Sequence, residues 1–288
     1  MKINKQVIFA AIKDVVIIAV ILASVIIIKD EIVWQVSSDS SNEDVAILDN
    51  QDDKNDVCNV AGITLHGSLV TYISPADFDA DGNLLVDQTA SENIVFNIEE
   101  AKKDEKIKAI VLEIDSYGGS PVGAEEIANA LKSAKKPTVA LIREGGVSAG
   151  YWVATGANKI FASKNSDVGS IGATMSYLDY AKQNQKDGLT YNQLSSGKFK
   201  DTGDPDKALT IEEKNLFMRD INILHQNFVK AVAENRNLDI KKVEALADGS
   251  TMLGEMALKN GLIDQIGGEF EVKEYLKNQI GEEIEICW

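Results

Sequence analysis

The chain is poor in the residues that most often carry chemistry. It has two cysteines, Cys58 and Cys287, and two histidines, His66 and His225, among 288 residues. Two cysteines are too few for a disulfide framework or a four-thiolate zinc site, and a single bridge between them stays open. Two histidines exclude a His-built metal centre, so neither metal nor cofactor is expected. Positive charge is scarce as well: 29 Lys and Arg stand against 45 Asp and Glu, for a formal net charge of −16. Such a chain lacks the clustered cations that a phosphate backbone requires, so no nucleic-acid partner is expected. The shortage of histidine has a further consequence, because a serine nucleophile commonly borrows an imidazole as its base.

What the chain does have is enough apolar sequence for a core. Hydrophobic residues make up 44% and charged ones 26%, which excludes both a mostly disordered protein and a polytopic membrane bundle. No repeat recurs at a fixed period.

The apolar residues are unevenly spread. Val7 to Ile28 is interrupted only by Lys13, Asp14 and Ser24, and as a helix it would span roughly 33 Å, enough to cross a bilayer. The shorter stretch from Val15 is also of signal-peptide size, but no small-residue cleavage site follows it. Residues 1–36 are therefore expected to form an N-terminal membrane anchor with its span at about 7–28. Lys2, Lys5 and Lys13 precede or open the span and acidic sequence follows it, which puts the N-terminus in the cytoplasm and the rest outside. Residues 37–57 carry seven acidic side chains and one lysine, the composition of a solvated linker.

Residues 58–288 alternate short apolar runs with helical patterns. Strands are expected over 62–70 (as a strand-turn), 108–114, 138–142, 160–162, 168–175 and 190–194. Helices are expected over 93–106, 122–133, 150–157, 177–186, 211–235, 240–247, 253–259 and 271–277. Thr210 with Glu213 three residues on reads as a capping box opening the long helix. This alternation defines an α/β domain with a mostly parallel sheet.

Two Gly-rich turns stand at strand ends. Gly146-Val147-Ser148-Ala149-Gly150 fits the G-x-S-x-G pattern, in which a strand-to-helix turn exposes a serine hydroxyl at a helix N-terminus. Asp115-Ser116-Tyr117-Gly118-Gly119 leaves backbone N–H groups uncovered after a strand, as an oxyanion hole requires. Each is also compatible with an ordinary βα turn. A base for Ser148 is poorly supplied: His66 lies in a strand-like run and His225 inside a helix. A lysine is the other option, and a Gly/Pro-bearing loop, Ser196-Gly197-Lys198-Phe199-Lys200-Asp201-Thr202-Gly203-Asp204-Pro205, offers two.

Together these turns, the segment Val168-Gly169-Ser170-Ile171-Gly172, the 196–205 loop and the T-x-E-E helix start resemble the signal peptide peptidase A (protease IV) family of Ser-Lys membrane serine peptidases. The resemblance implies a Clp-protease/crotonase-like spiral of ββα units preceded by one transmembrane helix. It also implies a homo-oligomeric ring whose peptide substrates are cleaved signal peptides or other membrane-proximal hydrophobic segments. It assigns Ser148 as nucleophile, Lys200 as general base and Ser170 as the hydroxyl that orients the base. The oxyanion donors it implies are the backbone of Gly118, Gly119 and Ala149. Three positions depart from the family pattern: Tyr117 replaces proline, Ala149 replaces glycine, and Asp206-Lys207 replaces the usual x-Arg. Two other readings use the same serine: an α/β-hydrolase esterase with His225 as base, and a non-catalytic crotonase-like scaffold in which Ser148 only caps a helix.

Overall fold

The computed structural model describes residues 58–288. The expected membrane span, 7–28, and the acidic linker, 37–57, lie outside the described residues. Among those described, no helix is long and apolar enough to cross a membrane.

The domain is built on one twisted sheet. Its strands β1 (Val60–His66), β4 (Ala109–Ser116), β5 (Thr138–Val147) and β6 (Lys159–Ala162) run parallel, with β9 (Gln265–Ile266) beside β6 and β10 (Ile286–Cys287) beside β1. β7 (Asp167–Gly169) continues the sheet along the far end of β5, and β8 (Thr251–Leu253) pairs with it antiparallel. A small second sheet joins β2 (Ser68–Val70) to β3 (Gln88–Ala90). The mostly parallel α/β architecture agrees with the alternation read from the sequence.

Strand β4 shows why its apolar run is unbroken. Ile110, Leu112 and Ile114 face one side, against helices α1 (Ser91–Lys103), α2 (Pro121–Ser133), α3 (Ala149–Thr155) and the second half of α5 (Ile211–Arg236). Ala109 and Val111 face the other, where Val272 and Leu276 of α8 (Glu269–Ile280) cover them. A strand buried on both faces has no polar side to alternate with. The other helices are α4 (Ala181–Lys186), α6 (Ile240–Leu246) and α7 (Gly254–Asn260). The Thr210–Glu213 capping box is present: Thr210 Oγ1 accepts from Glu213 N at 3.2 Å and Glu213 accepts from Thr210 N at 2.9 Å.

The open question of the cysteines is answered at the sheet edge. Pairing of Ala61 with Cys287 in β1 and β10 brings Cys58 within 5.9 Å, Cα to Cα, of Cys287, and the two form a disulfide. The bridge ties the chain just before β1 to β10.

One expected strand is corrected. Residues 190–194 are not a strand but part of an open segment, with Leu194 99% exposed. Thr190 and Tyr191 favour a strand there, but no strand among the described residues pairs with it. The expected strand over 168–175 likewise ends at Gly169, and the chain beyond it leaves the sheet.

Candidate active site

Strand β5 runs further than its apolar pattern indicates. It continues through Arg143, Glu144 and the two glycines to Val147, and α3 begins at Ala149. Ser148 is the single residue between them, at φ 54° and ψ −122°. A non-glycine residue at such a φ is strained, and strain of this kind costs on the order of 1–3 kcal/mol unless the surroundings enforce it. The surroundings here do so. Ser148 N donates to Gly169 O of β7 at 2.8 Å, and every residue of α3 is buried. The hydroxyl is lifted off the end of the sheet, half exposed, with no hydrogen-bond partner among the described residues.

The turn after β4 closes over it. Gly118 has φ 119°, and a Cβ there would meet Ser148 Cβ at 2.9 Å and Oγ at 3.2 Å. Gly119, at φ 141°, lies so close to β2 that a Cβ would fall 2.1 Å from Leu69 O. Leu69 donates to Gly118 O and accepts from Ser120 N, which turns the Gly119 N–H away from the strand. That N–H has no acceptor among the described residues. The Gly118 N–H is instead donated to Ser116 Oγ at 3.2 Å, and Ser116 Oγ donates to Gly67 O at 2.6 Å. Of the three expected oxyanion donors, Gly119 and Ala149 therefore offer free amides, and Gly118 supplies the clearance.

Ser148 opens onto a cleft of about 640 Å³. Tyr117, Pro121 and Gly119 line one side, and Ser170, Gly172 and Thr174 another. Leu224, His225 and Phe228 of α5 form a wall with Trp152, whose ring stacks on Phe228 at 5.0 Å. Ser170 sits at φ 51° just after β7, and its hydroxyl donates to Gly249 O at 2.8 Å. With its proton committed, Oγ presents lone pairs and can accept from an amine. Tyr117, in place of proline, lies over Gly145, whose added Cβ would touch its ring at 3.0 Å.

The structure brings Ser148, Gly118, Gly119, Ala149 and Ser170 together, but not Lys200. Lys200 is exposed on a turn of the 195–207 loop, is absent from the cleft lining, and its amine has no ion pair or hydrogen bond among the described residues. Its neighbour Lys198 lies 3.7 Å from Glu212. His225 does line the cleft, yet among the described residues its buried Nε2 has no partner, and neither Ser148 nor a carboxylate bonds it. A Ser-His-acid triad is thus not formed. His66 lies on the far sheet surface, 3.2 Å from Glu113. No cluster of His, Cys, Asp and Glu among the described residues could hold a metal ion. The sequence placed His225 beside Ser148 only in the esterase alternative and missed Leu224, Phe228 and Thr174 as parts of the site. The helical spacing of Leu224, His225 and Phe228 was the only signal, and it reads equally as core.

A serine held in strained geometry at a strand-to-helix turn, beneath free backbone amides, defines a serine-hydrolase type of site. Residues 130–282 match the model of peptidase family S49, and the chain belongs to that family. A protein of Methanocaldococcus jannaschii provisionally named a protease is 33% identical over 204 residues, covering 70% of this chain and 66% of that one. An Enterococcus faecium protein provisionally named signal peptide peptidase SppA is 32% identical over 196 residues, 67% of this chain and 57% of that one. Protease 4 of Salmonella typhi is 33% identical over 193 residues, 66% of this chain and 30% of that one. The chain thus spans less than two thirds of the length of these relatives. Among solved structures, a ClpP1 variant from Listeria monocytogenes matches with a TM-score of 0.46 and 12% identity, over 73% of this chain and 92% of that one.

Proposed function

We propose that the protein is a membrane-anchored serine endopeptidase in which Ser148 is the nucleophile and Lys200 the general base. Its substrates on this reading are remnant signal peptides or other membrane-proximal hydrophobic peptides. The observation that carries the reading is Ser148 at φ 54°, facing Gly118 and the free amides of Gly119 and Ala149. Ser148 Oγ attacks the peptide carbonyl and its proton passes to the neutral lysine amine, which then protonates the departing amine. The oxyanion is held by the Gly119 and Ala149 N–H groups, the latter at the N-terminus of α3. Ser170, its own proton bound to Gly249 O, accepts from the lysine and sets its direction. The apolar cleft wall of Trp152, Leu224 and Phe228 suits hydrophobic peptide side chains.

The exposed position of Lys200 fits a dyad shared between copies of the chain. The segment that carries it is apolar on its surface: Leu178, Leu189 and Leu194 are 66%, 61% and 99% exposed, as is Ile211 at 72% at the start of α5. Packed against a second copy, this arm would deliver its lysine to the neighbour's Ser148, giving the ring its function. The Cys58–Cys287 disulfide favours an oxidising compartment, in keeping with an anchor at residues 7–28 that holds the domain outside the cytoplasm.

Mixing inactive chains tests this. Ser148→Ala and Lys200→Ala should each abolish peptide cleavage, and a fluorophosphonate should label Ser148 only in chains that keep it. Co-assembled from denaturant in equal amounts, the two variants should regain about one quarter of wild-type activity, because random neighbours pair an intact serine with an intact lysine at that frequency. A mixture as inactive as its parts refutes the shared site. An inactive His225→Ala beside an active Lys200→Ala refutes the base.

A further inference from the structure

The residue after the proposed base is an aspartate, and a carboxylate beside an amine favours the ammonium form, which cannot act as a base. Asp201 is nevertheless occupied elsewhere. Its Oδ2 accepts from the Tyr191 hydroxyl at 2.6 Å and lies 3.7 Å from Lys207 Nζ. Lys207 Nζ is in turn 2.5 Å from Glu213 Oε1, and the side chain of Glu213 is almost wholly buried. Thr202 Oγ1 donates to the same Glu213 oxygen at 3.4 Å, and the capping bonds from Thr210 fix the other. The loop's remaining charges are also engaged: Lys198 faces Glu212, Asp206 accepts from Asn184 at 3.0 Å, and Asp204 stands near Tyr191. Among the described residues, Lys200 is left without a counter-ion.

We propose that Lys207 and Tyr191 are positioning residues that hold the Asp201 carboxylate so that it does not pair with Lys200, keeping that amine available as a base. This rests on the assignment of Lys200 above. Lys207 stands where the family usually places arginine, and its charge rather than its shape is the property used. The Tyr191 hydroxyl is held in its protonated form by the Asp201 bond, its pKa pushed well up, so it stays a donor to the carboxylate at every working pH. Removing the Lys207 cation frees the Asp201 carboxylate to turn toward the amine of its chain neighbour.

The test is the pH profile of kcat/KM in the assembled, full-length enzyme. Lys207→Met should move the rising limb about one pH unit upward, and Lys207→Arg should leave it in place. Tyr191→Phe, which removes one oxygen and leaves the Lys207–Glu213 pair, should move it the same way by less. Adding Asp201→Asn to Lys207→Met should return the limb toward its original position. Variants that lower the plateau without displacing the limb would show the cluster to be only a scaffold, with Lys200 still the base. An active Lys200→Ala enzyme would instead remove the base itself, and this inference with it.

Discussion

The two halves of the proposed dyad are built from different material. Ser148 is fixed by a ten-residue strand before it, a fully buried helix after it and a backbone bond from β7. Lys200 sits in a run, Asn192 to Lys200, in which every residue is exposed. The nucleophile's geometry is therefore a property of the folded chain, and its strain is balanced by the core. The base's placement is not set by that core and needs something to pack against. Stability and activity should separate along this line: changes near Ser148 should disturb both, and changes in the arm should disturb activity alone.

The most severe test strikes the rigid half. Gly119→Ala must fit a Cβ 2.1 Å from Leu69 O at a φ of 141°. The two penalties together should cost about 3 kcal/mol or more, read as a lower urea midpoint, with labelling of Ser148 lost. Gly118→Ala, whose Cβ meets the Ser148 side chain, should cost less stability but still block the fluorophosphonate. If Gly119→Ala folds and reacts as wild type, the turn is looser than described and the site is not preorganised.

Much of the rigid half was legible in the sequence because local and global signals coincide there. Buried parallel strands read as unbroken apolar runs, as in Ala109–Ile114, and the glycines at 118 and 119 mark the turn that closes over Ser148. The extension of β5 through Arg143 and Glu144 was not legible, since both are exposed polar residues that break the apolar run. The arm misled for the opposite reason: Thr190 and Tyr191 favour a strand locally, but no strand among the described residues pairs with them. The short edge strands β8, β9 and β10 carry too few residues for any period to show. The position of Lys200 relative to Ser148 is not encoded in any local pattern, so only the resemblance named it.

The intermediate test strikes the arm. Leu194→Asp puts a charge on a side chain that touches almost nothing within the chain, so its urea midpoint should stay within about 0.5 kcal/mol of wild type. If the arm packs on a second copy, burying that charge should be costly. The assembly should then shrink by light scattering, and peptide cleavage should fall at least about tenfold, since loss of about 1.4 kcal/mol at the interface already means that factor. Unchanged mass and activity would mean that Leu194 is not in an interface and would weaken the shared dyad.

The smallest effect expected lies where the arm joins the rigid body, at Glu213. Hydrogen bonding from Lys207 and from Thr210, the Lys207 contribution being the larger, holds its carboxyl down to about 2 from an ordinary 4.5. A carboxylate with a depressed folded-state pKa contributes stability that is complete above about pH 4.5 and is lost as the pH falls through about 2. Wild-type thermal stability should therefore fall between those values, and Glu213→Gln should be less stable at neutral pH but flatter across that window. Many exposed carboxylates also titrate there, so the difference between the two curves carries the information. Because Glu213 anchors Lys207, the substitution should also move the kcat/KM limb upward by less than Lys207→Met does. A Glu213→Gln enzyme with the wild-type acid limb and an unmoved profile would mean that the joint between the arm and α5 bears no load, and that the arm is ordered only by its neighbour.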